Sequence, residues 1–218
     1  MKALTSGRRT TLAAFFSLAL IVGLVLAVPA TRSRQHPHHE TEVVVLAGAY
    51  AFHFDTLPEL VATSAAVVEG TVVGAARGRV IDEVDVTYTR RLLTIRVDRT
   101  LTGQPTGDRL TVETPGWRQV LGQSETELRM EDEIPVLPGA HGIFFLYDFD
   151  HDGHYGFIND QGVLLMDAGT VQRSSRTDTL VKQLEARTPF ELTTLIAQAN
   201  AAIAQGRVRA HSYPGHAG

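Results

Sequence analysis

Residues 87–101, TYTRRLLTIRVDRTL, decide the fold. Leu93, Ile95 and Val97 alternate with Thr94, Arg96 and Asp98, the period of two that lines one face of a strand with apolar side chains. Upstream, residues 66–75 (AVVEGTVVGA) are rich in Val, and Gly70 marks a bulge or a point of close approach. Downstream, TGQPTG at 102–107 is a turn, and Leu110 and Val112 resume the alternation in a shorter strand that ends at Pro115 and Gly116. Residues 141–147 (HGIFFLY) are apolar on both faces and read as a central strand. Residues 155–158 pair back on it, and residues 162–166 and 170–172 form a hairpin about Asp167, Ala168 and Gly169. About six or seven sequential strands in little more than about 100 residues predict a mainly β fold, a small antiparallel OB-like barrel.

Two helices frame these strands. Thr56 with Glu59 three residues on is a capping box, with Pro58 in the first turn, so a short helix precedes the barrel and stops near Ser64. Thr188, Pro189 and Glu191 repeat that signature. Leu192, Leu195, Ile196, Ala199 and Ile203 then recur at helical spacing up to Gly206, an amphipathic C-terminal helix. Residues 43–54 are apolar and partly β-branched, either a first strand or a segment laid over the core. Residues 122–133 read as an acidic loop, and residues 207–218 as a frayed tail.

The N-terminus addresses the chain. Lys2, Arg8 and Arg9 precede an uncharged run from 10 to 31 whose apolar part reads LAAFFSLALIVGLVLAV. A basic start, an apolar stretch and small residues near its end make an export signal. Cleavage after Ala30 and retention as a signal anchor through residues 12–30 are both open, and the length of the run leans towards the anchor. Either outcome leaves the domain on the extracytoplasmic side. Residues 1–30 thus form a signal or anchor helix and 31–42 a polar linker. A β-barrel domain follows over 43–175, then a helical segment over 176–206 and a tail over 207–218. The +3 of residues 1–30 within a chain of net charge −4 leaves −7 on the rest, which phosphate backbones would repel, so no nucleic-acid partner is expected. With no Cys, disulfide scaffolds, thiol nucleophiles and Cys-ligated metal are excluded.

LPELVATSAAVVEGTVV (57–73), LLTIRVDRTLTG (92–103) and LPGAHGIFFLYDF (137–149) together resemble a poorly characterised group of exported bacterial β-barrel domains. More distantly they are similar to the OB-fold module of netrins and tissue inhibitors of metalloproteinases. The resemblance spans about residues 57–166, half of the chain, and implies fold and export. Those animal modules depend on disulfides and a cysteine terminus that this chain lacks, so it implies no inhibitory activity here.

One motif carries candidate chemistry. Asp148, Asp150 and Asp152 followed by Gly153 fit the first half of a calcium loop, whose alternate carboxylates face one centre. Position 12 is Asn159 rather than Glu, so weak Ca2+ binding is expected, against the plainer reading of an acidic turn. No other cofactor is expected. His36, His38 and His39 sit in the linker with no spaced partner ligand, and Trp117 is either a barrel-core or loop-packing residue or an exposed binding aromatic. Arg96 is read as a charge protecting a sheet edge. No zinc-hydrolase helix, nucleophile elbow or phosphate loop occurs. The resulting expectation is an exported, membrane-tethered, non-enzymatic binding domain for an extracytoplasmic protein or envelope component. The alternatives are an extracytoplasmic hydrolase with an Asp/Glu/His site, and a structural cell-envelope protein.

Overall fold

The computed structural model describes residues 43–46, 52–105, 107–130, 135–148, 154–172 and 178–211. The export signal and linker therefore lie outside the described residues. No described helix is long and apolar enough to cross a membrane.

The chain is mainly β. Its strands are β1 (Val43–Leu46), β2 (Ala66–Glu83), β3 (Val86–Thr102), β4 (Arg109–Val120), β5 (Thr126–Met130), β6 (His141–Tyr147), β7 (His154–Phe157), β8 (Val163–Asp167) and β9 (Thr170–Val171). Helices α1 (Leu57–Thr63), α2 (Thr179–Leu184) and α3 (Pro189–Ala204) flank them. All the strands join one sheet in the order β1-β5-β4-β3-β2-β6-β8-β9. β7 stands off that path and pairs parallel to β4 and antiparallel to β6. The hydrogen-bonded path β4-β3-β2-β6-β7 thereby returns to β4.

The period-two pattern of β6 builds two cores. Ile143 and Phe145 face one way and pack with Phe54, Leu60, Leu192 and Ile196 beneath the helices. Phe144 and Leu146 face the other way and pack with Val68, Val72, Leu93, Ile95 and Val112. A strand buried on both faces has no room for polar residues, which is why HGIFFLY reads as it does. Gly70 sits at a register shift between β2 and β3, and a Cβ there would lie 2.4 Å from the Arg96 carbonyl oxygen. That glycine is required by close backbone approach.

Both capping boxes form as the spacing predicts, at Thr56 with Glu59 and at Thr188 with Glu191. Residues 43–54 divide between the two readings: Val43–Leu46 pairs parallel to β5, whereas Phe52 and Phe54 are buried in the core.

Several expectations are corrected. β4 does not end at Pro115 and Gly116 but runs on to Val120, because a register shift between Thr89 and Arg91 absorbs that dipeptide within the ladder. The supposed acidic loop contains β5, whose Glu127 lies opposite Trp117. Arg96 lies on β3, which is flanked by β2 and β4, so it protects no edge; it pairs with Asp98. The tail is held as far as His211, whose backbone N–H donates to Thr63 Oγ1 at 2.9 Å while its ring lies 5.3 Å from that of Phe54. The helical segment expected over 176–206 divides into two helices, α2 and α3.

Candidate functional site

The sequence singled out the loop that follows β6. Asp148 is half-buried at the end of that strand, and its Oδ1 is shielded from solvent without a hydrogen-bond partner. Burial pushes the Tyr155 hydroxyl above its ordinary pKa, and the Asp148 carboxylate adds to the shift. Asp150, Asp152 and Gly153 lie outside the described residues, and so does the convergence of carboxylates that calcium would need. Among the described residues no group of three or more His, Asp or Glu side chains is placed to hold a metal.

The second charged region is self-neutralised. Trp117 is half-buried, with the guanidinium of Arg77 4.5 Å and that of Arg91 4.8 Å from its ring centroid. It is thus neither a core residue nor a free aromatic: both arginines lie within cation–π range of it. Arg77 is bound by Glu125, and Arg91 donates to Glu127 at 2.7 Å. Burial raises the Glu127 pKa, but hydrogen bonds from Arg91 and Arg129 outweigh it and hold the carboxyl below its usual range. Arg91 lies on the β3 face that carries Leu93 and Ile95, so the cluster continues the apolar core as a polar cap. The adjoining cavity of about 30 Å³ has room for water-sized occupants rather than for a ligand.

Open space is found instead among the helices. A polar knot first fixes their position. Gln161 is fully buried; its Nε2 donates to the Phe54 carbonyl and to Asp178 Oδ2, and its Oε1 accepts from the Phe54 N–H. Asn159 adds a bond from Nδ2 to the Phe52 carbonyl at 3.1 Å. Asp178 in turn caps α2, accepting from the Val181 N–H at 2.9 Å. This network ties the segment before α1 to the start of α2.

The three helices leave a groove of about 630 Å³ between them. Leu57 and Pro58 of α1, Leu180 and Leu184 of α2, and Leu195, Ala199 and Ala202 of α3 supply its apolar wall. Asp55, Arg187 and Arg207 stand with Gln183 and Gln198 among its polar lining. Leu192, Ile196 and Ala199 of α3 already fill the core. Leu195, half-buried against that core, and Ala202 widen the apolar stripe towards the groove. Leu195 was legible in the sequence as part of the helical stripe. The contribution of α2 was not, because six residues are too few to show a period.

No family model, curated protein or solved structure matches the chain.

Proposed function

We propose that this chain is an exported, membrane-tethered, non-enzymatic interaction domain that takes its partner in the groove between α1, α2 and α3. The observation that carries the reading is the groove itself. It has the volume of a ligand-sized cleft, an apolar wall and a few polar groups, the composition of a recognition surface. Nucleic-acid backbones are poor partners for the domain as a whole, since residues 31–218 carry the chain's excess of acid.

The scaffold beneath is read as a five-stranded OB-like barrel. What supports this is the return of the path β4-β3-β2-β6-β7 to its first strand, with the final pair parallel. Such a barrel leaves few edges for unwanted pairing and holds α1 and α3 on a rigid base. The basic-then-apolar N-terminus supports export and tethering.

Two substitutions in α3 test the groove. Ala202→Trp fills it, whereas Ala197→Trp adds the same bulk on the exposed face of the helix. Purified from the envelope, the first variant should lose the proteins that accompany the parent chain and the second should keep them. Equal recovery from both would remove the groove from the account. A reporter active only outside the cytoplasm, fused after residue 40, tests export, and a silent but expressed fusion would contradict it.

A further inference from the structure

The hairpin joining β2 to β3 ends in an apolar, acidic tip. Val84 is 91% exposed, and Leu121 of the neighbouring turn is 79% exposed. The two turns are tied by the Leu121 N–H donating to the Asp85 carbonyl at 2.9 Å. Asp82, Glu83 and Asp85 surround Val84 in the chain, and the Glu83 and Asp85 side chains have no hydrogen bond or ion pair among the described residues. Of the two turn residues only Asp85 takes a positive φ, 65°, so the turn is satisfied by Asp85 and Val84 is left exposed beside it. The groove offers an apolar wall beside Arg207; its other arginine, Arg187, is paired with Glu191 at 3.6 Å. The Arg207 side chain has no partner among the described residues.

We infer that the tip of one copy seats in the groove of a second copy, Val84 against the apolar wall and Glu83 and Asp85 towards Arg207. The inference rests on the groove being a binding surface and names its occupant. A copy cannot fill its own groove this way. Helix α3 is fastened to the far end of the same hairpin, where Thr102 Oγ1 donates to Asn200 Oδ1 at 3.0 Å and Val67 lies opposite Thr102. From there to Glu83 the chain runs about sixteen residues along β2, a contour of up to roughly 50 Å. The contact is therefore head-to-tail, and it propagates into a row or closes into a ring. A hairpin tip buries less than the roughly 1,200 Å² of a stable interface, so assembly depends on the local concentration that tethering provides.

The absence of Cys gives a clean test in the full chain in its own envelope. Val84→Cys together with Ala202→Cys should give, on oxidation, a ladder of dimers, trimers and longer species, while neither single variant should cross-link. Adding Glu83→Arg should lower the cross-linked fraction about fivefold, and further adding Arg207→Glu should restore it. A double-Cys chain that stays monomeric while resisting protease like the parent overturns the inference, as does a dimer formed by Val84→Cys alone. A photoreactive maleimide on Ala202→Cys separates the two claims. Capture of a different protein keeps the groove and removes the second copy, and capture of nothing removes both.

Discussion

Gln161 and Phe54, 107 residues apart in sequence, exchange two hydrogen bonds inside the core: the Phe54 N–H donates to Gln161 Oε1 at 2.8 Å, and Gln161 Nε2 donates to the Phe54 carbonyl at 2.7 Å. The pair mimics one rung of a sheet with a side-chain amide in place of a strand. It pins the segment leading into α1, and through Asp178 it reaches α2.

Gln161→Leu keeps the size but leaves the Phe54 N–H and carbonyl unpaired in a dry site. Each buried group so abandoned costs about 1–3 kcal/mol. A loss of at least about 2 kcal/mol in urea unfolding is expected, with the helices loosening first in hydrogen exchange. An unchanged midpoint would make the network incidental.

Two glycines of β2 should behave oppositely. A Cβ at Gly70 would meet the Arg96 carbonyl oxygen at 2.4 Å, and backbone cannot step aside, so Gly70→Ala should cost about 1–3 kcal/mol or more. A Cβ at Gly74 meets nothing within 4 Å, so Gly74→Ala should be neutral or stabilising by up to about 1 kcal/mol. Thermal melts of the two variants decide it.

Helix α3 should show cap and core effects in order. Thr188→Ala removes the side chain that accepts from the Glu191 N–H and should cost about 1 kcal/mol. Ile196 is 1% exposed, and Ile196→Ala should cost about 2–5 kcal/mol. Equal and negligible losses would show α3 to be a loose appendage.

Acid should weaken the fold through Glu127. Its carboxyl titrates below the usual range in the folded chain, held there by Arg91 and Arg129 against the opposing effect of burial. A lowered folded-state pKa gives stability that is complete above the unfolded value of about 4.3 and lost as pH falls below it. Glu127→Gln should therefore flatten the acid limb of the stability profile below about pH 4.3. An unaltered limb would assign acid sensitivity to other carboxylates.

The local rules in the sequence carried far. Both capping boxes, the turn at Asp167, Ala168 and Gly169, and the two-sided burial of residues 143–146 follow from spacing alone. What stayed hidden depends on partners distant in sequence. Glu125 and Glu127 look like free acids until Arg77 and Arg91, 48 and 36 residues away, are placed beside them. Pro115 and Gly116 look like a strand end until a register shift accommodates them. The groove needs three helices at once, and Leu195 alone could not announce it.

The central claim is that the groove is where this domain meets its partner. A photoreactive amino acid at Gln198, exposed on α3 and lining the groove, tests it in intact cells against the same residue at Asp108, exposed in the turn before β4. The account predicts a discrete covalent adduct from position 198, abolished by Ala202→Trp, and none from position 108. No adduct at 198, or the same adducts from both positions, would contradict it.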